Sequence, residues 1–549
     1  MKFERHFPKV VLAGLLVCLT GCDRERPHTG NIEAAETLIG VSMTDAERAL
    51  MLEDIHEQRA AYDALHALDL PNDLTPALRF DPGFETPPPA DPEWAKVEGI
   101  TNPVGDDVIP FLSVAELGAL LRTGLLTSEA LTRIYLDRIH EHDGTLHAVI
   151  TVTEDLALAQ ARRADAELAQ GIDRGPLHGI PYGLKDIAAV PGYPTTWGAT
   201  PYREQIIDTT ATVAERMEEA GAVLIAKTAV GALAWGDVWF GARTNSPWNP
   251  EIGASGSSAG SAAGVAAGFF PVAIGTETWG SITSPATRNG VIGLRPTFGR
   301  VSRHGFMALS WSMDKVGAIC RRAEDCGMVL DAIRGVDAAD PTTVDAGFSY
   351  SPATSLDDLR VGYLANDFSA DDYEQKTVDN ALLDRVRAAG IELVAVALPD
   401  MPIESMSIVL SAEAAAAFDT LTRSGLDDTL VKQGRFAWPN VFRAARFIPA
   451  VEYLQANRLR TRLITAMENL FSDHALDVVL APCFSGNQLL ATNLSGHPAL
   501  VFPTGLDTDG MPRGLCLIGK PFREGDLLVV ARELQGITGE QVRIPAGFQ

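Results

Sequence analysis

The stretch that decides the fold is "GSSAGSAAGVAAGFFPVAIGTETWGSITSPATRNGVIGLRPTFGRVSRHG", residues 256–305. Its beginning has the Gly and Ser content of a flexible linker. However, it continues without a break into an alanine-rich run and then into the short apolar segment 271–276, which are typical of a helix and a strand. The stretch is therefore predicted to lie inside a folded domain. Its serines are expected on turns whose backbone N–H groups can stabilise a developing oxyanion.

Short β-branched segments alternate with helical patterns through the rest of the chain. The predicted strands are "HAVITVT", "GAVLIAKT", "LRVGYLA", "IELVAVAL" and "LDVVLAP". Strands separated by helices predict an α/β fold, with a sheet that carries helices on both faces. The 549 residues, 46% of them hydrophobic and 21% charged, are enough to build a large core.

The charge balance and the motifs exclude several classes of protein. A net charge of -26 is unsuited to nucleic acid, which is bound by clustered Lys and Arg. The sequence has neither a phosphate-binding glycine loop nor a dinucleotide fingerprint. His140 and His142 could suggest metal, but two residues this close do not share a helical face. We therefore expect neither a metal nor any other cofactor.

The N-terminus has the features of an export signal. Lys2, Arg5 and Lys9 precede an apolar run that is shorter than a membrane span. The sequence around Cys22 resembles a bacterial lipobox, which implies that residues 1–21 are removed and that Cys22 is lipidated; an ordinary signal peptide is the alternative. We expect an exported lipoprotein, periplasmic or on the cell surface, that meets the membrane only through this anchor.

Three further regions follow the signal. Residues 22–80 are predicted to form a helical extension, in which Thr44 and Glu47 have the spacing of a capping box. Residues 81–110 are rich in proline and are predicted to be an extended linker. The main domain is predicted to occupy residues 111–549. The sequence does not indicate an oligomeric state.

Four cysteines remain after Cys22, namely Cys320, Cys326, Cys483 and Cys516. None has the short spacing of zinc or redox sites. An oxidising compartment permits a disulfide, but the sequence assigns no pairing.

Ser258 is one candidate nucleophile, because residues 256–260 match G-x-S-x-G. That motif requires a strand directly before it, and the preceding segment has two prolines and no β-branched run. It also requires a histidine later in the chain, and nothing distinguishes among His304, His474 and His497.

A serine can also be activated by a neutral lysine. Ser312 and Lys315 have S-x-x-K spacing, but the companion motifs of that enzyme class are absent. Lys185 is the better candidate. It lies beside Asp186 in "GPLHGIPYGLKDIAAVPG", residues 175–192, an apolar segment of the kind that builds interior loops. Burial there would favour the neutral amine.

Taken together, these segments resemble the amidase signature family. The resemblance rests on residues 256–305, on "GLKD" at 183–186, and on the closing segments "NLSGHPALVFPTG" and "MPRGLCLIGKPFREGDLLVVARELQ". It extends from about Ser113 to the end of the chain. It implies a single large α/β/α domain with a mixed central sheet.

The resemblance also implies a mechanism without a cofactor. Ser281 would be the nucleophile, Ser257 the bridging serine held by a cis peptide bond, and Lys185 the base. The product would be a carboxylic acid with ammonia or an amine. The implied oxyanion hole consists of the backbone N–H groups of Thr278, Trp279, Gly280 and Ser281. An esterase that uses Ser258 and a non-catalytic amide-binding module are the alternatives.

Several positions depart from the family pattern. Trp279 stands where many members have a small residue, and Cys516 replaces a common glutamine. Thr283 replaces an arginine found in the glutaminase subunits of transfer-RNA amidotransferases, which argues against that role. Residues 341–459 are least like the shared core and are expected to shape the acyl pocket, with 435–449 supplying aromatic walls. Aliphatic, aryl and C-terminal peptide amides all remain candidate substrates.

Overall fold

The computed structural model describes residues 27–68, 70–100, 108–538 and 543–549. The predicted signal peptide and Cys22 lie outside these residues. The chain forms two compact units, one ending at Leu70 and the other beginning at Pro71. No helix in the described part of the chain combines the length and the apolar composition needed to cross a membrane.

In its described residues, the first unit contains two helices, α1 (Thr29–Ile39) and α2 (Asp45–His66). The predicted capping box is present, since the Thr44 hydroxyl accepts a hydrogen bond from the Glu47 N–H at 3.3 Å. Both helices lie in the region predicted to be helical. The break occurs because Gly40 ends α1 in a left-handed conformation and Thr44 starts a new helix.

The described part of the second unit is built around thirteen strands. In chain order they are β1 (Val149–Val152), β2 (Pro181–Lys185), β3 (Val223–Thr228), β4 (Asn245–Ser246), β5 (Asn249–Gly253), β6 (Val272–Glu277), β7 (Ile292–Arg295), β8 (Lys315–Cys320), β9 (Val361–Leu364), β10 (Leu393–Val396), β11 (Val478–Pro482), β12 (Ala499–Leu506) and β13 (Pro512–Gly519).

Helices surround these strands. They are α3 (Val114–Arg122), α4 (Ser128–Leu146), α5 (Glu154–Ala169), α6 (Thr212–Glu219), α7 (Ala259–Ala267), α8 (Thr283–Asn289), α9 (Ala323–Ile333), α10 (Ala365–Ser369), α11 (Lys376–Ala388), α12 (Ile408–Ala417), α13 (Asp419–Arg423), α14 (Trp438–Ala445), α15 (Ala450–Asp473), α16 (Gln488–Ser495) and α17 (Glu524–Thr538).

Eleven strands form one sheet in the order β1-β3-β2-β6-β8-β7-β12-β13-β11-β9-β10, while β4 and β5 form a separate hairpin. The sheet is mixed: β3, β2 and β6 are parallel, as are β11, β9 and β10, and the other neighbours are antiparallel. This confirms the predicted α/β fold with a mixed central sheet. All five strands predicted from β-branched segments are present, as β1, β3, β9, β10 and β11.

Two segments differ from their sequence-based interpretation. Residues 181–185, expected to be part of an interior loop, form β2, and every residue of this strand is buried. A strand buried on both faces shows no alternation of polar and apolar residues, and its Pro and Gly obscured it further. The segment before Ser258, where no strand was expected, contains the β4–β5 hairpin, which does not join the main sheet.

Residues 71–100 contain no helix or strand, as expected for the proline-rich region, yet they belong to the large unit. Phe80 packs edge-on against Phe298 with ring centroids 5.0 Å apart, and Trp94 stacks on Tyr350 at 5.2 Å. This segment therefore wraps the domain surface, and the compact unit begins earlier than the boundary at residue 111 expected from the sequence.

Candidate active site

Lys185 is the last residue of β2, and its side chain reaches toward the neighbouring parallel strand β6. Its Nζ lies 2.8 Å from the Ser257 hydroxyl, 2.9 Å from the Ser258 hydroxyl and 2.8 Å from the Thr276 hydroxyl. All four side chains are buried. The amine is thus surrounded by hydroxyl groups rather than paired with a carboxylate.

This environment changes the protonation of Lys185. Burial lowers the pKa of its amine from an ordinary 10.5 to about 7, although the negative charges of Asp314 and Glu277 oppose this shift. Near pH 7 a large fraction of the amine is neutral. A neutral amine within hydrogen-bond distance of a hydroxyl can accept its proton.

Ser257 follows a cis peptide bond from Gly256, in agreement with the bond implied by the resemblance. Gly256 packs tightly, since a Cβ at this position would lie 1.9 Å from the Gly236 carbonyl oxygen. Only glycine fits such a close approach. The next residue, Ser258, precedes α7, and its N–H donates to the Ser281 carbonyl at 3.1 Å. This bond joins the two serine-bearing segments.

Ser281 lies in the loop between β6 and α8 and is partly exposed. Among the described residues its hydroxyl has no hydrogen-bond partner. Within the same part of the chain, none of the backbone N–H groups of residues 278–281 donates a hydrogen bond. Gly280 has φ +100°, and a Cβ there would lie 3.0 Å from Leu489. The loop therefore combines a free hydroxyl with free N–H groups next to it.

A buried carboxylate supports this loop from behind. Glu277 accepts hydrogen bonds from the N–H groups of Ile282 and Thr283, each at 2.8 Å. It also pairs with Arg295 at 2.6 Å and accepts from the Asn493 amide at 2.9 Å. Burial alone would raise the pKa of Glu277, but Arg295 and these donors hold it at about 2. The carboxylate thus stays charged and fixes the start of α8.

A second buried carboxylate holds the other end of the loop. Asp314 accepts from the Thr278 hydroxyl at 2.6 Å and from the N–H groups of Leu309 and Ser310 at 2.8 and 3.0 Å. Burial raises the pKa of Asp314, although these donors act against the shift.

Sequence reasoning did not identify these supports. The sequence did contain an indication that Glu277 is a support. Glu277 comes directly after a segment predicted to be a strand, four positions before Ser281, and a buried charge there needs a partner. Asp314 gave no such signal, since it lies inside the S-x-x-K match.

The structure does not bring the S-x-x-K pair together. The Ser312 hydroxyl donates to Glu413 at 2.7 Å and accepts from Arg460 at 2.8 Å, whereas Lys315 donates to the Met313 carbonyl. The S-x-x-K spacing of Ser312 and Lys315 is therefore consistent with a chance match, as expected from the absence of the companion motifs.

Ser258 lacks the partners of a nucleophile elbow. Besides Lys185, its hydroxyl contacts the main-chain N–H and carbonyl of Thr276, both at 3.2 Å. No histidine in the described residues contacts it, and His497 bonds instead to Ser495 and Glu468. The geometry therefore places Ser258 as a support for Lys185.

No group of three or more potential metal ligands occurs within the part of the chain that the structure describes. His140 and His142, which could have suggested a metal from the sequence, lie near the end of α4. There the neighbouring Asp143 carboxylate accepts a hydrogen bond from the Ala148 N–H at 2.6 Å, which is a capping contact.

A cavity of about 410 Å³ lies beside Gly236, because Lys432 in its lining would be 3.5 Å from a Cβ at that position. Trp235, Phe436 and Trp438 line it, together with other residues of segments 232–238 and 430–439. Trp235 directly precedes Gly236, the residue that contacts Gly256. The lining includes the first part of 435–449, the segment expected to supply aromatic walls.

Known proteins resemble this chain in sequence and in structure. The family model described as Amidase matches residues 130–491. The chain is 35% identical to a glutamyl-tRNA(Gln) amidotransferase subunit of Pseudomonas syringae pv. syringae, over 80% of this chain and 99% of that protein. The native peptide amidase structure from Stenotrophomonas maltophilia has a TM-score of 0.69 and 30% identity, with 80% of this chain and 99% of that chain covered.

A bacterial aryl acylamidase of the amidase signature family shares the fold, with a TM-score of 0.69 at 23% identity; 79% of this chain and 98% of that chain are covered. The protein described here belongs to the amidase signature family. It is an amide-hydrolysing enzyme of that family.

Proposed function

We propose that the protein hydrolyses linear carboxylic amides through an acyl-enzyme on Ser281, with Ser257 and Lys185 as a proton relay. The observation that carries this proposal is the 2.8 Å contact between Lys185 Nζ and the Ser257 hydroxyl, in a buried site that brings the pKa of Lys185 to about 7. A base that is neutral at working pH is what a serine nucleophile requires.

In the first step, the Ser281 oxygen attacks the amide carbonyl carbon. Its proton passes to Ser257, whose own proton passes to Lys185. Negative charge then develops on the substrate oxygen, and the free N–H groups of residues 278–281 are available to stabilise it.

The C–N bond breaks as Lys185 returns the proton through Ser257 to the leaving nitrogen, which departs as ammonia or an amine. Water, deprotonated by the same relay, attacks the acyl-enzyme and releases the carboxylic acid. In this scheme every proton moves along Ser281, Ser257 and Lys185, of which Ser257 and Lys185 are in direct contact.

The substrate would place its acyl group in the cavity beside Gly236. At about 410 Å³ the cavity has room for an aromatic or branched apolar group, and Trp235, Phe436 and Trp438 provide matching walls. Trp279, two residues before Ser281, is 44% exposed, and we expect it to contact the leaving group. Linear amides with an apolar acyl part, including C-terminal peptide amides, fit this arrangement.

A role as an amidotransferase subunit is suggested by the name of the Pseudomonas syringae relative. Thr283, in place of the arginine expected for such subunits, is buried against Glu277 and offers no positive charge. Together with the predicted export, this favours a stand-alone hydrolase. A non-catalytic binding module is also disfavoured, because Lys185, Ser257 and Ser281 are all retained.

We further propose that the enzyme is a lipoprotein anchored through Cys22, outside the cytoplasm. The support is the N-terminal sequence alone. Metabolic labelling with radioactive palmitate tests this: label should enter the wild-type protein and be lost in Cys22→Ser.

The hydrolase proposal is tested by measuring ammonia or amine release from matched aliphatic, aryl and C-terminal peptide amides, and alcohol release from the corresponding esters. Wild-type protein should hydrolyse at least one amide class. Ser281→Ala should lose at least about a thousandfold in kcat/KM. Ser369→Ala, which removes an exposed hydroxyl that donates to the Asn366 carbonyl, serves as the control. Wild-type rates in Ser281→Ala would refute the assignment.

A further inference from the structure

The described residues contain one disulfide, between Cys320 at the end of β8 and Cys326 in α9. Cys483 and Cys516 are present as free thiols, and both are buried. Their sulfur atoms are only 2.7 Å apart. Non-bonded carbon atoms rest about 3.5–4.0 Å apart and sulfur is larger than carbon, so two separate thiols are crowded at this distance.

We propose that Cys483 and Cys516 form a second disulfide bond, which ties the chain between β11 and α16 to the central strand β13. Nothing in this proposal depends on the catalytic assignment of Ser281.

Strand register brings the two cysteines together. In the antiparallel pairing of β11 with β13, Ala481 lies opposite Cys516. Cys483 is two residues beyond Ala481 and projects from the same face of the sheet. The cysteines are therefore diagonal cross-strand neighbours, a relationship within reach of side-chain contact. Cys483 lies just past the end of β11, so its backbone is outside the ladder and can adjust to the bond.

A metal site is a poor alternative for the pair. No third potential ligand accompanies the two sulfurs among the described residues. A structural zinc site needs four ligands.

The burial of the pair determines when the bond must form. Burial, together with the neighbouring Cys483, raises the pKa of the Cys516 thiol well above its usual range. A buried protonated thiol reacts slowly, since the thiolate is the reactive form. Oxidation therefore occurs while the chain is still folding and both sulfurs are accessible.

The reaction is thiol–disulfide exchange with an oxidant that itself carries a disulfide. One cysteine thiolate attacks the oxidant and forms a mixed disulfide, and the second cysteine thiolate then displaces the oxidant. The S–S bond forms as two protons and two electrons leave the cysteines, and the oxidant is reduced to a dithiol.

The bond would constrain a segment that supports the catalytic loop. The side chain of Gln488, the first residue of α16, donates to the carbonyls of Pro482 and Cys483 at 3.1 and 3.2 Å. From the same helix, Leu489 packs beside Gly280 and Asn493 donates to Glu277. The disulfide would thus hold one end of the strand–helix connection on which the Ser281 loop packs.

The direct test is peptide mapping of the full chain, expressed in a bacterial periplasm and purified without reductant. The protein is unfolded in the presence of an alkylating reagent, digested and analysed by mass spectrometry. The expected result is a linked 483–516 peptide pair, two hydrogens lighter than the separate peptides and free of alkyl groups. Alkyl groups on both Cys483 and Cys516 would overturn the proposal. Detection of the Cys320–Cys326 disulfide in the same digest is the positive control for the method.

Stability measurements give a second readout. Removing a disulfide from a domain of this size should lower Tm by about 2–6 °C. If the bond exists, Cys483→Ala and Cys516→Ala each break it, so the double variant should be little less stable than either single variant. Both proteins retain Cys320–Cys326, so reductant is expected to lower the Tm of each. The decrease should be larger for wild-type protein than for the double variant, because only the wild-type protein also loses the 483–516 bond. The bond would be contradicted if the two substitutions lowered stability additively and if reductant lowered the Tm of wild-type protein and of the double variant equally.

Discussion

Glu277 and Arg295 form a fully buried ion pair, 2.6 Å apart, directly behind the loop that carries Ser281. Removal of one partner leaves an uncompensated charge in the core, which costs about 3–5 kcal/mol. We expect Glu277→Gln and Arg295→Met each to lower the urea midpoint of unfolding strongly. Glu277→Gln should also lose most activity, because the N–H groups of Ile282 and Thr283 lose a charged acceptor.

The double variant Glu277→Gln/Arg295→Met distinguishes this explanation from simple loss of contacts. It should be more stable than the sum of the two single effects predicts, since neither charge is left alone. Strictly additive losses would show that the pair does not act as a unit.

Lys185 should make the activity depend on pH. Burial lowers its pKa to about 7, and only the neutral amine can accept a proton. The value of kcat/KM is therefore expected to rise as pH increases through about 7 and then to level off. The measurement is a pH profile between about 5.5 and 9 with a neutral amide. A profile that is flat across pH 7, or that falls as pH rises through 7, would contradict the role of Lys185 as base.

Gly280 is expected to be intolerant of substitution. Its φ of +100° is one that side-chain-bearing residues rarely adopt, and a Cβ would lie only 3.0 Å from Leu489, so Gly280→Ala is expected to strain the catalytic loop. We expect kcat to fall at least about tenfold with a smaller change in overall stability. Gly510→Ala is the matched control, because Gly510 also has positive φ but would meet no atom within 4 Å. Equal activity losses in both variants would point to a general effect of backbone strain.

Phe436 provides a test of the proposed acyl pocket. It lines the 410 Å³ cavity yet is 73% exposed, so its removal should have little effect on folding. Phe436→Ala should raise KM severalfold for amides with a large apolar acyl group and change little for acetamide. Phe447→Ala, an exposed phenylalanine outside the cavity lining, is the control. The pocket assignment would be wrong if both variants behaved like wild type toward all acyl groups.

Much of this architecture could be predicted from local sequence. The β-branched runs predicted β1, β3, β9, β10 and β11, because hydrophobic periodicity is a local property. The resemblance to the amidase signature family implied that Lys185, Ser257 and Ser281 share one site, and the structure brings Lys185 and Ser257 into contact.

Two kinds of feature could not be predicted from the sequence. Some depend on contacts between residues far apart in the chain, and others lie in segments whose composition does not indicate their secondary structure. Strand β2 lacks both β-branched enrichment and alternation. The Glu277 carboxylate is satisfied by Asn493, 216 positions away in sequence, and no single-sequence pattern reports such a contact. The Cys483–Cys516 contact likewise arises only when β11 and β13 pair.

The most direct test of the proposed catalytic relay is active-site labelling with a fluorophosphonate, followed by peptide mass spectrometry. A single label on Ser281 is expected in wild-type protein. Labelling should be lost in Lys185→Met and retained in Lys96→Met, a control at an exposed lysine. A label on Ser258, or undiminished labelling of Ser281 in Lys185→Met, would contradict the proposed relay.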